Sequence, residues 1–331
     1  MPASSTFAES AVRNRFEKDP TNTMAQDVLK GLMADQKYIP SKYFYDARGS
    51  KLFEVICNLP EYYLTRTELR LLSTHAKDIL RRFQKGDIVE LGAGGNRKVR
   101  ILLDALGASC RPDVRYIPVD VCGTTLLESA AQLAEVYPEV TVNGMVADFT
   151  RDFRRLRSDR LKLVLFLGST MGNLDEGETL SLLQRVAAML NPGDRFLLGL
   201  DMVKPVEIIK AAYNDSRNVT AEFNKNILLV INRELDATFN PANFDHVAFF
   251  DERKEQIEMH LRARKEICVD LKALRILVVL KKGETIRTEI CRKFRRARAQ
   301  RMIRDAGMEV THWYSDPKGW FSLLEAGLAQ P

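Results

Sequence analysis

The chain has 331 residues, 45% hydrophobic and 28% charged, with a net charge of +6 and a sequence pI near 9.0. Those proportions exclude a disordered or fibrous chain, and no apolar run approaches the roughly 18 residues that a membrane span requires. The charge excess is too mild to indicate nucleic acid by itself, while five cysteines without a C-x-x-C pair argue against a disulfide framework and for a reducing cytoplasm.

From the N-terminus, residues 1–20 mix charges and lack an apolar core, so no secretory signal is read there. A polar, helical stretch runs to about Ala76. An alternation follows: short apolar runs that end in turn residues ("GDIVELGAG", "VRYIPVDV", "VTVNGMVADF", "LKLVLFLGSTMGNL", "DRFLLGLDMV"), with amphipathic stretches such as Thr124 to Val136 and Gly177 to Leu190 between them. Near-continuous apolar strands separated by helices predict a parallel sheet covered on both faces, an α/β doubly wound domain. From Lys204 the pattern changes to a long helix, "VTAEFNKNILLVINREL", and two strand-like stretches, "EQIEMHLRARKEIC" and "ALRILVVLKKGETIRTEI", the second turning at Gly283. The chain then returns to a helix, "RRARAQRMIRDAG", and strands around "MEVTHWYSD" and "GWFSLLEAG". The expected division is a cofactor domain of residues 64–201 and 295–331, with residues 1–63 and 202–294 as a second, substrate-binding lobe.

The turn in "VELGAGGNRKVRILLDAL" fits three ligand classes: a dinucleotide, a nucleoside triphosphate, or the adenosyl part of S-adenosyl-L-methionine. Its G-x-G-G lacks the third glycine spacing of G-x-G-x-x-G, and no G-K-[ST] follows for a triphosphate. Ligands of open α/β sheets sit beyond the carboxyl ends of the strands, and polar residues collect there. Gly92 and Gly94 end the first strand, Asp120 the second and Asp148 the third, with Phe149 beside it, and Asn173 follows the fourth. An aspartate at such a place can simply cap the next helix, but one edge carrying the whole series favours adenosine without pyrophosphate, and so S-adenosylmethionine.

The segments "YFYDARGSKLFEVICNLPEYYLTRTE", "LFLGSTMGNL", "VTAEFNKNILLVINREL", "IEMHLRARK" and "TEICRKFRR" closely resemble the histidine-specific Nα-methyltransferase family of ergothioneine biosynthesis, over about residues 35 to 326. The resemblance implies a Rossmann-like class I methyltransferase sheet with a second lobe, S-adenosylmethionine as donor, and trimethylation of the α-amine of L-histidine to hercynine. Relatives in the same family act on tryptophan derivatives, so another aromatic amino acid is the alternative substrate. Matched to the family's motifs, Gly92, Lys98, Asp120, Asp148 and Phe149 hold the cofactor; Tyr62, Asn173 and Tyr213 hold the amino acid. Met259 lines the side-chain pocket, Glu289 accepts from the imidazole, and Tyr45 lies near the reacting amine as the catalytic candidate. Three positions depart from the family: the turn "GAGGNRK" where "GSGTSEK" is usual, Ala147 in place of a glycine, and Cys291 in place of a serine that contacts the imidazole.

Two other function classes are weaker. Arg292 to Arg304, "RKFRRARAQRMIR", is basic enough to bind phosphate, but aromatic interleaving is sparse and no RNA-binding signature appears. A nicotinamide dehydrogenase lacks its fingerprint. His246, His260 and His312 have no metal-ligand spacing, so no metal is expected. The expectation is a cytoplasmic enzyme, a monomer acting on a small amino acid, with neither nucleic acid nor membrane as partner.

Overall fold

The computed structural model describes residues 12–14, 20–149, 156 and 158–329; most of the segment read for a secretory signal lies outside them. In chain order come β1 (Val12–Asn14), α1 (Pro20–Leu32), α2 (Ala47–Cys57) and α3 (Tyr63–Leu80). The alternating region gives β2 (Gly86–Leu91), α4 (Arg97–Ala105), β3 (Val114–Asp120), α5 (Gly123–Val136), β4 (Thr141–Val142) and β5 (Gly144–Val146). It continues with β6 (Lys162–Phe166), α6 (Glu176–Met189) and β7 (Arg195–Asp201). Next are α7 (Val206–Tyr213), α8 (Val219–Leu235), β8 (Phe244–Asp251), β9 (Gln256–Ala263), β10 (Ile267–Leu271), β11 (Ile276–Leu280) and β12 (Thr285–Arg292). Finally come α9 (Arg296–Asp305), β13 (Met308–Ser315) and β14 (Phe321–Leu328).

The chain divides into two compact units, the first made of Met1–Arg15, Leu64–Val203 and Lys293–Pro331, the second of Phe16–Tyr63 and Lys204–Arg292. In the first, the sheet order is β1-β5-β3-β2-β6-β7-β14-β13 with β4 beside β3. The strands from β1 to β7 pair in parallel, whereas β14 runs antiparallel to both β7 and β13. This is the doubly wound, Rossmann-like arrangement of class I methyltransferases. Val89, Val164, Phe166 and Leu198 of the central strands are buried with Leu182 and Val186 of α6 and Ile303 of α9. Each such side chain contributes roughly 1.5–3 kcal/mol by leaving water, and the continuous apolar strands are legible for that reason. Chain order reverses between β2 and β6, which makes the turns after those two strands the natural ligand crevice.

Two details depart from the sequence-based division. Val12–Asn14, expected with the second lobe, pair with Gly144–Val146 and satisfy backbone groups at that edge of the sheet. Residues 202, 203, 293 and 294 also fall in the first unit: Phe294 N–H donates to Asp201 O (2.9 Å), Val203 N–H to Phe294 O (3.0 Å), and the Lys293 ammonium lies 2.9 Å from the Asp201 carboxylate, both side chains fully buried.

In the second unit β12, β9 and β8 form an antiparallel sheet, and β10 and β11 a separate hairpin. Helix α8 spans the stretch anticipated for it and buries Phe223, Ile227, Ile231 and Leu235, four residues apart on one face. Strand β8 was not anticipated, and each of the two long strand-like stretches is divided, into β9 with β10 and into β11 with β12. Pairing of β12 with β9 shifts register between Arg287 and Glu289, leaving Thr288 as the extra residue of a β-bulge.

Candidate functional site

In the first unit, β2 runs into Gly92 and Gly94, both in the left-handed region (φ 68° and 54°), which glycine adopts without the steric cost other residues incur. Gly92 N–H donates to Val119 O at 2.8 Å, folding the turn over the end of β3. There the Asp120 carboxylate accepts from Gly94 N–H and Cys122 N–H, both at 2.9 Å. A Cβ on Gly92 would lie 3.3 Å from the Phe149 ring, and that ring packs on Phe166 with centroids 5.3 Å apart. The structure therefore brings Gly92, Asp120 and Phe149 together; Asp148 is half-buried next to Phe149, just past β5.

Lys98, in the first turn of α4, has its ammonium 3.0 Å from Glu68 of α3. The other Glu68 oxygen accepts from Gly168 N–H at 2.6 Å, in the turn after β6 that leads to Asn173. Glu68 fits only because position 199 is glycine, where a Cβ would stand 2.2 Å from the same oxygen. Glu90 of β2 is buried and accepts from Tyr116 Oη at 2.6 Å. Burial pushes its carboxyl up to about 7, against the pull of Lys98 and the Tyr116 hydrogen bond, and with Glu68 and Asp120 adding repulsion. Burial likewise raises the Asp120 carboxyl, opposed by the Cys122 and Gly94 amides. Sequence reasoning missed Glu68 and Glu90. A lone acid inside the apolar run "DIVELG" was the available signal for Glu90; nothing local marks Glu68.

The charges around the turn discriminate between ligands. Lys98 is matched by Glu68, which leaves Asp120, joined by Glu90 as it ionises around pH 7, as excess acid. Such a cluster opposes a pyrophosphate and suits a sulfonium cation with ribose hydroxyls to donate. The residues present thus fit S-adenosylmethionine.

In the second unit an aromatic chain joins three of the tyrosines singled out from sequence. Tyr45 meets Phe53 and Phe223 (centroids 5.5 and 5.7 Å), Phe53 meets Tyr62 (6.1 Å), and Tyr62 meets Tyr213 (6.3 Å). The edge-to-face geometry suits the ring quadrupoles. Burial pushes the Tyr62 hydroxyl well above its usual range, and the neighbouring Cys57, Tyr45, Cys291 and Glu289 push the same way. In the β12–β9 ladder Glu289 stands opposite Met259 and Cys291 opposite Ile257, so Met259, Glu289 and Cys291 share one sheet face. Tyr45, Tyr62, Tyr213, Met259, Glu289 and Cys291 all belong to this unit, whereas Asn173 belongs to the first.

Three histidines have hydrogen-bonding or ionic partners. His246 Nε2 lies 2.9 Å from Tyr213 O, His260 Nε2 lies 2.9 Å from Glu258, and His312 Nδ1 lies 3.4 Å from Glu325. Among the described residues no group of three or more His, Cys, Asp or Glu is arranged to hold a metal, no cysteine is paired in a disulfide, and no helix is long and apolar enough to cross a membrane.

Residues 24–327 match the family model described as histidine-specific methyltransferase, SAM-dependent. A histidine N-alpha-methyltransferase of Mycolicibacterium smegmatis is 41% identical over 300 residues, covering 91% of this chain and 93% of the relative. One from Mycobacterium tuberculosis is 38% identical over 316 residues, covering 95% and 98%. Ergothioneine biosynthesis protein 1 of Schizosaccharomyces pombe is 31% identical over 245 residues, covering 70% of this chain and 31% of that longer protein.

Proposed function

The chain belongs to the histidine-specific, S-adenosylmethionine-dependent methyltransferase family, and from that premise we infer that it methylates the α-amine of L-histidine in ergothioneine biosynthesis, three times, to give hercynine. The observation that carries the choice of amino acid is the cross-strand pair of Glu289 and Met259, an acceptor beside an apolar wall, with Cys291 on the same face. Glu289 accepts an imidazole N–H, Met259 packs on the ring, and Tyr62 and Tyr213 hold the amino-acid end.

The cofactor supplies a methyl group already activated by its sulfonium sulfur. What remains for the chain is to hold a neutral amine in line with that carbon at about 3 Å, a matter of orientation. Asp120 accepts from the ribose hydroxyls, Asp148 from the adenine amino group with Phe149 against the ring, and Lys98 completes the holders. An α-ammonium has no lone pair, so a proton leaves before each transfer. Tyr45, half-buried at the edge of the aromatic chain, relays it to water through its hydroxyl without becoming ionised itself. A tryptophan indole also carries an N–H that Glu289 could accept, so it is the similarity to histidine N-alpha-methyltransferases that disfavours that alternative.

This reading takes a single chain as the working unit and a cytoplasmic setting, the latter supported by an odd number of cysteines with no C-x-x-C pair. Light scattering of the purified protein tests the first point. The function is tested by mass spectrometry of the purified protein with S-adenosylmethionine and a mixture of the twenty amino acids. Mass gains of one, two and three methyl groups on histidine are expected; gains on another amino acid instead would refute the assignment.

A further inference from the structure

A buried polar network that the reaction does not use ties α8 to the strands that carry Met259 and Glu289. Asn224, on α8, is fully buried. Its amide Nδ2 lies 2.8 Å from His246 Nδ1 and 3.1 Å from His260 O. Its Oδ1 accepts from the Thr288 hydroxyl at 2.6 Å, and that hydroxyl also stands 3.0 Å from Met259 O. His246 Nε2 faces Tyr213 O at 2.9 Å. A carbonyl oxygen only accepts, so Nε2 carries the ring proton and Nδ1 accepts from Asn224. Burial favours this neutral ring. Both amide hydrogens of Asn224 and its oxygen are thereby committed, which fixes its orientation.

Two of these partners end at places that matter for the amino acid. His246 caps the carbonyl of Tyr213, the last residue of α7. Thr288 is the extra residue of the β12 bulge. Residues two apart in a regular strand face the same way, but across the bulge Arg287 pairs with His260 and Glu289 with the adjacent Met259, so Arg287 and Glu289 face opposite sides. The bulge therefore turns Glu289 and Cys291 onto the Met259 face, and the Thr288 hydroxyl, whose one hydrogen goes to the nearer acceptor, anchors it to Asn224.

We propose that Asn224, Thr288 and His246 form one positioning device that sets the distance between Tyr213, at the amino-acid end of the substrate, and the Met259–Glu289 pair, at its side-chain end, and so selects an imidazole over bulkier aromatic side chains. The proposal rests on the assignment of Tyr213, Met259 and Glu289 to the amino-acid substrate. These residues act through others and touch no reacting atom.

The test replaces Thr288 with valine, which keeps the shape and removes the hydroxyl, and with serine, which keeps the hydroxyl. Steady-state kinetics are measured on histidine and tryptophan, with S-adenosylmethionine affinity by calorimetry and the melting temperature as controls. Thr288→Val should raise KM for histidine about tenfold, the scale of one buried hydrogen bond. Its kcat and cofactor affinity should stay within about threefold, a range under ~1 kcal/mol, and the rate on tryptophan relative to histidine should rise. Thr288→Ser should restore the wild-type KM. Should the valine protein not fold, His246→Leu severs the link from Asn224 to Tyr213 while leaving Thr288 bonded to Asn224, and should show the same split. An unchanged KM, a serine variant that behaves like valine, or KM, kcat and cofactor affinity worsening together with the melting temperature would overturn the device. If the wild type methylates histidine while Thr288→Val is indistinguishable from it, only this inference fails; a wild type inactive on histidine removes the functional reading and the inference with it.

Discussion

Replacing Glu90 with glutamine should change how stability depends on pH, in a direction set by burial. The folded carboxyl is pushed from its ordinary value of 4.5 to about 7, so the folded protein keeps a proton that the unfolded chain has already released. A raised value contributes stability that is fully present below about 4.5 and is lost as pH climbs through about 7. At ~1.4 kcal/mol per pH unit over that window, the loss totals about 3 kcal/mol. Glu90→Gln retains an oxygen to accept from Tyr116 but cannot ionise, so it should escape the loss. Urea denaturation of both proteins between pH 5 and pH 8 checks this: the wild type should lose about 1.4 kcal/mol per pH unit relative to the variant up to pH 7, then run parallel to it. A bound sulfonium cation should favour the ionised carboxylate, so S-adenosylmethionine binding near pH 6.5 should release protons, seen as a buffer-dependent calorimetric enthalpy that the variant lacks. Parallel stability curves from pH 5 to pH 8 would refute the reasoning, because they would mean that Glu90 is charged at all these pH values.

Three further outcomes are expected. Asp120→Ala should weaken S-adenosylmethionine binding roughly ten- to a hundredfold, since a hydrogen bond to a charged group is worth ~1.5–3 kcal/mol; calorimetry showing unchanged affinity would remove Asp120 from the cofactor site. Gly199→Ala places a Cβ 2.2 Å from Glu68 Oε1, so it should displace Glu68, free Lys98 and lower both cofactor affinity and melting temperature; a variant with wild-type affinity would show that Glu68 has room to move. Cys291→Ser should tighten histidine binding several-fold, because a hydroxyl bonds better than a thiol by about 1 kcal/mol, while Glu289→Ala should lose histidine turnover and admit bulkier aromatic amino acids; intact histidine turnover in Glu289→Ala would show that the pocket does not read imidazole.

The sheet of the first unit was legible because its strands are apolar on both faces and end in turn residues, so Gly92, Asp120 and Asp148 could be placed at strand ends without coordinates. Glu68 could not, since an exposed helical glutamate and a buried one look alike in sequence; only the contact with Gly168 and the absent side chain at Gly199 distinguish them. The second unit was harder. Strand β8 mixes His246 and two aspartates with its aromatics, which blurs its alternation, and the extra residue in "IRTEIC" leaves no mark in composition. The residues proposed for the amino-acid pocket were named through family motifs, and the face that Met259, Glu289 and Cys291 share became visible only with the register of β12 against β9.

Strand β14 lies inside the sheet, between β7 and β13, yet its residues come 120 positions after the end of β7. During synthesis at ~5–20 residues per second, the edge of β7 stays unpaired for on the order of ten seconds while the whole Lys204–Arg292 segment is made. Ribosome-arrested chains that stop before Phe321 should therefore be cut readily by protease within β7, and chains extended past Leu328 and clear of the exit tunnel should not. An apolar strand edge open for that long is a template for pairing with another chain, so production of this protein should depend on chaperone supply more steeply than a fold of its size with strands paired in order of synthesis.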